Sequence, residues 1–386
     1  MSRIDDLIAE YCPDGVKHQT LGEIGEFIRG NGIQKRDFQD SGFGCIHYGQ
    51  IYTYYGLFAD HTKSFIDPNL AEKRKKAYKG DLVIATTSEN EEDVCKACAW
   101  LGEEPIAISG DAYIFRHHQN PKYISYCFQS ELFQSQKKKY ITGTKVLRVN
   151  GDAMAKIHVP VPPLPVQEEI VRILDSFSSL EAELEAELEA RRKQYTQYRD
   201  ELLKFERVLI ASLGELCKIS VGRKNGTAGE FGEYPYVNAG TSMSGFVNEW
   251  SEEGDCVTTP SRGQGGMGFV AYQASRFWCG PLCYVMRSKH SDVMIKYVYY
   301  YLCSHKADIL GLVHEGGTPA INKSELAGLR ILVPPFEEQQ RIVSILDRFD
   351  KLTNDLSSGL PAEIEARHKQ YEYYRDRLLS FDELAA

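Results

Sequence analysis

The feature that most constrains this chain is a repeat, because self-similarity at a long period fixes the number of structural units before any single element is assigned. Val161-Pro162-Pro163 is followed by Gln167, Ile170-Val171, Ile173-Leu174-Asp175 and Phe177. The pattern returns as Val333-Pro334-Pro335, Gln339, Ile342-Val343, Ile345-Leu346-Asp347 and Phe349, each pair 172 positions apart. Further on, Ala190-Arg191, Lys193-Gln194-Tyr195, Tyr198-Arg199-Asp200, Leu202-Leu203 and Phe205 return as Ala366-Arg367, Lys369-Gln370-Tyr371, Tyr374-Arg375-Asp376, Leu378-Leu379 and Phe381. These later pairs are 176 apart, so the second copy holds four additional residues.

The long segments before each copy repeat more faintly. Leu21-Gly22-Glu23-Ile24 parallels Leu213-Gly214-Glu215-Leu216, and Gly80-Asp81-Leu82-Val83 parallels Gly254-Asp255-Cys256-Val257. Tyr123-Ile124 and Thr144 parallel Tyr297-Val298 and Thr318. Asp5-Asp6-Leu7-Ile8 resembles Asp200-Glu201-Leu202-Leu203, which predicts a short N-terminal helix completing the pattern circularly. A chain of 386 residues exceeds what one core usually serves. The expected organisation is a globular domain over 1–160, a helical spacer over 161–205, a second globular domain over 206–332 and a second spacer over 333–386.

Inside the globular segments, Leu82–Thr87, Ala112–Phe115, Cys256–Thr259 and Leu282–Met286 read as strands. Tyr123–Gln134 and Ile295–Ser304 read as aromatic-rich helices packed on a sheet. Gln167–Phe205 contains no Pro or Gly, and its apolar residues fall at 170, 173, 177, 180, 184 and 188, then 195, 198, 202 and 205. Steps of three and four are the heptad signature, and a helix of that length spans about 58 Å at 1.5 Å per residue. The second copy has apolar positions at 342, 345, 349, 352 and 356, then 371, 374, 378 and 381, with a break expected at Gly359-Leu360-Pro361. The fold class is α+β, with two pseudo-symmetric α/β domains separated by two long helices. Two acidic seams in one chain are expected to pair as an antiparallel coiled coil, with the globular modules at opposite ends.

The net charge of −9 argues at first against a polyanionic partner. Residues 1–160 nevertheless carry 20 Lys+Arg against 21 Asp+Glu, and 206–332 carry 12 against 12. Each helical segment carries −4, so the acidity sits in the spacers, and local patches matter more than the sum. No apolar run reaches the roughly 20 residues that a bilayer requires, and Met1–Asp6 has no secretory apolar region. Ten cysteines without a framework pattern fit a reducing cytoplasm, which is the expected location.

The order globular–helix–globular–helix, with Pro-Pro…Gln…Ile-Leu-Asp opening each helix and Arg-x-Lys-Gln-Tyr…Tyr-Arg-Asp closing it, resembles the specificity subunit of type I restriction–modification systems. The resemblance covers essentially the whole chain. It implies two target-recognition domains, each binding half of a bipartite asymmetric sequence in double-stranded DNA. It implies helices that set the half-site spacing and dock two modification (methyltransferase) subunits, which two restriction (translocase–nuclease) subunits join. S-adenosylmethionine, ATP and Mg2+ are then expected on those partners, with no cofactor, metal or catalytic residue in this chain. Leu180-Glu181-Ala182-Glu183 and Leu184-Glu185-Ala186-Glu187 form a small internal repeat. Each such unit adds roughly 6 Å and about 40° beyond a full turn, close to the roughly 35° per base pair of a duplex. This tract is the expected ruler.

Candidate DNA contacts follow from residue type. Lys73-Arg74-Lys75-Lys76 and Lys137-Lys138-Lys139 are the strong basic clusters, suited to phosphates. The loops Asn31–Asp40 and Arg223–Gly232 occupy matching places after a glycine and differ in sequence, giving Lys35, Arg36, Arg223, Lys224 and Asn225. Tyr48, Gln50 and Asn238 come downstream. Gly263-Gln264-Gly265-Gly266-Met267-Gly268 matches G-x-G-x-x-G, but a strand, not a helix, is expected after it, so a dinucleotide site is rejected. Arg262 and Gln264 on that loop suit guanine and adenine edges. Asn120-Pro121-Lys122-Tyr123 resembles the Asn-Pro-Pro-Tyr motif of adenine methyltransferases, but Lys122 departs from it and no glycine-rich cofactor loop precedes it. Cys95/Cys98 and Cys279/Cys283 read as reduced, partly buried thiols rather than a shared zinc site. The competing reading is a protein–protein scaffold with no affinity for DNA.

Overall fold

Both globular segments begin on the same local device. Thr20 Oγ1 accepts the Glu23 N–H at 3.2 Å while the Glu23 carboxylate accepts the Thr20 N–H at 2.7 Å. Ser212 and Glu215 repeat the exchange at 3.2 and 2.6 Å. This capping box satisfies donors that a single helical turn cannot satisfy alone, so it fixes a sharp step between two strands at the same place in each copy. The structure is a computed structural model, and it describes residues 3–224, 228–314, 316–355 and 357–384. The chain divides into two compact units, Met1–Glu183 with Glu365–Ala386, and Leu184–Ile364.

The first unit opens with α1 (Arg3–Tyr11), β1 (His18–Thr20), α2 (Leu21–Ile24), β2 (Gly25–Arg29), β3 (Phe43–Ile46) and α3 (Tyr48–Thr53). It continues through β4 (Phe58–Ala59), β5 (Ser64–Ile66), α4 (Pro68–Glu72), β6 (Lys76–Ala77), β7 (Leu82–Ala85), β8 (Thr87–Ser88), β9 (Lys96–Trp100), β10 (Ile106–Ile108) and β11 (Ala112–His117). Then come α5 (Pro121–Gln129), α6 (Glu131–Lys137), β12 (Leu147–Arg148), α7 (Gly151–Met154), β13 (His158–Pro160) and the long α8 (Leu164–Leu202), which enters the second unit at Leu184. The second unit adds β14 (Leu209–Ser212), α9 (Leu213–Leu216), β15 (Cys217–Val221), β16 (Tyr234–Val237), β17 (Phe246–Val247), β18 (Cys256–Pro260), β19 (Ala271–Gln273), β20 (Trp278–Cys279) and β21 (Cys283–Ser288). It ends with α10 (Ile295–Ser304), α11 (Lys306–Leu310), α12 (Lys323–Ala327), β22 (Arg330–Val333), α13 (Phe336–Asn354) and the start of α14 (Leu360–Leu378).

The main sheet of the first unit has the order β2-β11-β7-β9-β4, and that of the second β15-β21-β18-β19. The registers correspond: Tyr113 faces Arg29 and Ile114 faces Val83, as Tyr284 faces Val221 and Val285 faces Thr258. A smaller sheet, β5-β3-β10-β6 or β17-β16-β20, is centred on a parallel pair in each unit. The chain passes from one sheet to the other at a glycine. Gly30 N donates to Ala112 O at 2.9 Å and Asn31 N to Ile108 O at 3.1 Å, just as Gly222 N donates to Cys283 O at 3.1 Å and Arg223 N to Cys279 O at 2.8 Å. A Cβ on Gly30 would lie 2.2 Å from Ser109 O, and one on Gly222 2.1 Å from Gly280 O. No larger residue fits this crossing, which is why both variable loops follow a glycine.

Each core lies between the main sheet and the helices behind it. Leu82, Ile84, Phe115, Tyr123 and Ile124 enclose Val166, Ile170 and Leu174 at the start of α8. Val257, Met286, Tyr297 and Val298 enclose Ile342, Val343 and Leu346 of α13. Gln167 is fully buried, accepting the Asn120 N–H at 3.0 Å and donating to Pro162 O at 2.7 Å. Gln339 does the same with Met294 N at 2.9 Å and Pro334 O at 2.9 Å. A buried amide satisfied on both sides locks the direction in which each helix leaves its module.

The helices pair within each unit. In the first, Phe177 stacks on Tyr374 with ring centroids 5.4 Å apart, and His368 Nδ1 lies 2.8 Å from Glu181. The second partner runs backwards as the first runs forwards, which is the expected antiparallel coil. In the second unit Tyr195 and Tyr198 lie 6.4 and 5.8 Å from the Phe349 ring. The break expected near Gly359 separates α13 from α14. The long helix runs three residues earlier than its sequence pattern at both ends, because Leu203 is already 1% exposed in the second core and the chain turns there toward β14. The expected single helix over Tyr123–Gln134 is two helices. Ser130 Oγ donates to Cys127 O at 2.7 Å and accepts the Phe133 N–H at 3.3 Å, so one side chain ends α5 and starts α6. Cys95, Cys98, Cys279 and Cys283 are free and fully buried, where only partial burial was expected.

Candidate nucleic-acid interface

In the first unit the structure joins candidates that lie far apart in sequence. The Asn31 amide donates to Lys73 O at 3.2 Å and accepts the Lys75 N–H at 2.8 Å. The start of the loop that carries Lys35 and Arg36 is thereby sewn to the turn before β6 that carries Lys73, Arg74 and Lys75. Lys35, Arg36, Lys73 and Lys75 are exposed. Arg74 is half-buried with its Nε unpartnered. Lys76 is half-buried, its ammonium 5.6 Å from the centre of the Phe43 ring. Below this edge, Phe38 meets His47 at 6.0 Å, edge to face. Burial, and then the nearby Lys35 charge, lower the pKa of His47, which keeps its Nδ1 free to accept the Gly49 N–H at 3.2 Å.

Two candidates there are engaged by the fold. Gln50 accepts the His47 N–H at 3.0 Å and donates to Ser64 Oγ at 2.7 Å, which occupies both ends of its amide. Tyr48 is half-buried, and its ring lies tilted against His47 with centroids 4.5 Å apart. Lys137 is the clear correction. It is 1% exposed, and its ammonium donates to the carbonyls of Glu91, Glu92 and Val94 at 2.7, 3.3 and 3.0 Å. A cation ringed by three carbonyls holds the loop between β8 and β9 and has no face left for a phosphate. Only Lys138 and Lys139 of that run are exposed.

The second unit gathers its candidates at the end of β16, β18 and β20. A Cβ on Gly266 would lie 2.1 Å from Ala239 O, so the glycine-rich loop is pressed against the turn that carries Asn238. Gly266 and Gly268 serve close packing, and the strand β19 comes after them, not a helix. Arg262 and Gln264 on this loop are exposed. The Asn238 Oδ1 accepts the Leu282 N–H at 3.0 Å, so this side chain shapes the turn rather than standing free. Arg223 and Lys224 are exposed, and Trp278 Nε1 donates to Arg223 O at 3.1 Å, fixing the start of their loop. Asn225 lies outside the described residues.

The Asn120-Pro121-Lys122-Tyr123 motif is a helix start: the Asn120 side chain accepts from the N–H groups of Lys122 and Tyr123 at 3.0 and 3.2 Å, with Pro121 in the first turn. Among the described residues no group of three or more His, Cys, Asp or Glu is arranged to hold a metal ion, and no helix is long and apolar enough to cross a membrane. Sequence reasoning did not find Asn31, because its contribution is a bridge between loops 42 residues apart.

Residues 13–190 and 208–366 each match the family described as "Type I restriction modification DNA specificity domain". Over 273 residues the chain is 35% identical to the specificity subunit of type I restriction enzyme EcoR124I/EcoR124II of Escherichia coli, a match covering 60% of this chain and 65% of that subunit, just under two thirds of its length. It is 33% identical over 244 residues to a putative type I specificity subunit of Mycoplasma pneumoniae, covering 59% of this chain and 94% of the other. Among solved structures, the S subunit of the type I restriction–modification system from M. genitalium superposes with a TM-score of 0.61 at 14% identity, over 94% of this chain and 96% of that one. At that identity the likeness concerns the fold.

Proposed function

The chain belongs to the family of type I restriction–modification DNA specificity subunits, and on that premise we propose how its parts divide the work. Each module binds one half of a bipartite, asymmetric target in double-stranded DNA, and the chain carries no catalysis of its own. The observation that carries this reading is the duplication itself: two copies of one frame, with the same capping box, glycine crossing and helix anchor, display unlike loops at the same place. A single chain of that kind reads two different half-sites while offering two matched faces. Two identical partners require matched faces, so the helices with their repeated ends are the docking sites for two modification subunits. Two restriction subunits join that core.

Adenine methylation then occurs on the partners, which supply S-adenosylmethionine chemistry, and ATP and Mg2+ belong to the restriction subunits. A methyltransferase extrudes its target base from the duplex, and holding the two half-sites in register meanwhile is the task left to this chain. Phosphate contacts position the modules and base-edge contacts select the sequence. The exposed Lys35, Arg36, Lys73, Lys75, Lys138, Lys139, Arg223 and Lys224 are suited to the first task, and the exposed Arg262 and Gln264 to the second. The Leu-Glu-Ala-Glu tract within α8 sets the half-site spacing.

The decisive experiment maps N6-methyladenine genome-wide in cells carrying this chain with its modification subunit and in cells lacking only this chain. A methylated split motif that requires the chain is the expected result. Methylation unchanged by its loss, with an active partner confirmed, would favour a scaffold that does not read DNA.

A further inference from the structure

The connection from β15 to β16 carries a side chain that the fold does not use. Phe231 is 88% exposed, the most exposed large apolar side chain among the described residues, and Met243 on the following turn is 53% exposed. The backbone around them is fixed. Gly229 and Phe246 exchange both hydrogen bonds, at 3.0 and 2.9 Å. Pro235 is registered against the same Phe246, so the intervening residues carry the chain across β17. A Cβ on Gly232 would lie 2.6 Å from Val247 N, which makes that crossing tight. The turn carrying Met243 is tied to the same strand, Ser244 N donating to Tyr236 O and Tyr236 N to Gly245 O, each at 2.8 Å. Glu233 accepts the Tyr234 hydroxyl at 2.7 Å, while Glu230, next to Phe231 in the chain, is exposed. Two exposed cations, Arg223 and Lys224, begin the same connection.

We infer that Phe231 is an apolar wedge that enters a base step of the half-site bound by the second module, with Met243 supporting it from the neighbouring turn. This rests on the specificity reading above. A ring held in water on a pinned loop gains only when something apolar covers it, and the stacked faces of bases are the apolar surface that DNA offers. Apolar side chains inserted between base steps unstack them and kink the duplex, at least cost at pyrimidine–purine steps. Arg223 and Lys224, at the start of the same connection, meet phosphates of that half-site. The first module has no counterpart, since Phe38 on the matching loop is half-buried against His47, so the distortion belongs to one half-site alone.

The test uses the complex of the full chain with its modification subunit and duplexes carrying the split motif methylated by the wild type. Adenines of each half-site other than the methylated ones, which the modification subunit itself extrudes, are replaced in turn by 2-aminopurine. The expected result is a fluorescence rise at one step in one half-site, lost in F231A and kept in F231L. F231A is expected to bind the cognate duplex at least about tenfold more weakly, the scale of one disrupted base-pair contact, with an unchanged salt slope because no phosphate contact is removed. An F231A complex with wild-type affinity and fluorescence overturns the wedge. So does an F231A chain that fails to assemble with the modification subunit, which would place Phe231 in a protein contact. A wild-type complex that methylates no split motif overturns the specificity reading itself, and the wedge with it.

Discussion

The ammonium of Lys122 lies 2.6 Å from the carboxylate of Asp175, and this pair ties the long helix α8 to the helix α5 that backs its own sheet. The same carboxylate accepts the Tyr126 hydroxyl at 2.8 Å, and the Lys122 ammonium sits 3.8 Å from the centre of the Phe58 ring. Lys296, Asp347, Tyr300 and Tyr272 repeat all of this, with distances of 2.8 Å for the ion pair, 2.5 Å for the hydroxyl and 5.0 Å for the ring. The aspartate of the Ile-Leu-Asp motif is therefore an internal anchor, which explains its presence in both copies independently of any partner.

Asp175→Asn removes the charge but keeps an acceptor for Tyr126. The pair is about a quarter to a third exposed, so solvent screening limits its worth. A loss of about 1 kcal/mol in urea unfolding of the first unit is expected, matched by Asp347→Asn in the second. A loss confined to one of the two would show that the anchors are not equivalent.

The C-terminal residues belong to the first unit. Leu379 is 2% exposed there, Val16 N donates to Asp382 O at 2.9 Å, and Leu384 N donates to Val16 O at 3.1 Å. Deleting residues 379–386 is expected to cost the first unit about 3 kcal/mol, the usual scale for losing one large core side chain. Hydrogen exchange should rise in β1 and β13 while β14 and β22 keep their protection. Equal loosening in both units would contradict the division.

His117 is 8% exposed and accepts the Gln119 N–H at 3.1 Å through Nδ1, with Nε2 unpartnered. Burial lowers its pKa from 6.5 to about 4. The unfolded chain takes up the proton first as pH falls, so this contribution to stability is present above about 6.5 and is lost progressively toward 4. The loss reaches at most about 3 kcal/mol. Denaturation midpoints measured between pH 7 and 4 should fall in the wild type and flatten in His117→Gln; parallel curves would assign the acid sensitivity elsewhere.

Base and phosphate contacts are separable. Arg262→Ala should relax the methylated motif at one position, costing about 1–3 kcal/mol of discrimination. Lys73→Ala with Lys75→Ala should weaken binding evenly across sequences and reduce the salt slope by about 2. Methylation profiles and salt titrations read the two effects apart, and a motif changed by the lysine variants would reverse the assignment.

Removing Leu184–Glu187 from α8 shortens the helix by about 6 Å and rotates its C-terminal portion by about 40°. The number of unread base pairs between the methylated half-sites should fall by about one. An unchanged spacer would end the ruler hypothesis.

Much of this architecture was legible in the sequence because it rests on local rules. The unbroken run that becomes α8 and the break at Gly359 are set by residues within a few positions of one another, and the two copies show as identities 172 and 176 positions apart. Ser130 was missed because a serine that both ends and begins a helix has the same local signature as one on a helix surface. The run Lys137-Lys138-Lys139 reads as a solvated charge cluster, and nothing in its neighbours indicates that one member is enclosed.

What the tertiary structure alone decided is which candidates are free and which meet. Lys137 is buried because a loop some 45 residues away folds its carbonyls around the ammonium. Gln50 is held between His47 and Ser64 and the Asn238 carbonyl is taken by Leu282, while Asn31 ties the loop after β2 to Lys73. The sequence by itself determined two copies of one frame joined by helices, since helix signals are short-range and a duplication shows as identities in the same order, with no need of spatial contact. Strand pairing and loop apposition depend on contacts between residues distant in the chain, and the cost of burying a polar group is offset only by partners that those contacts supply.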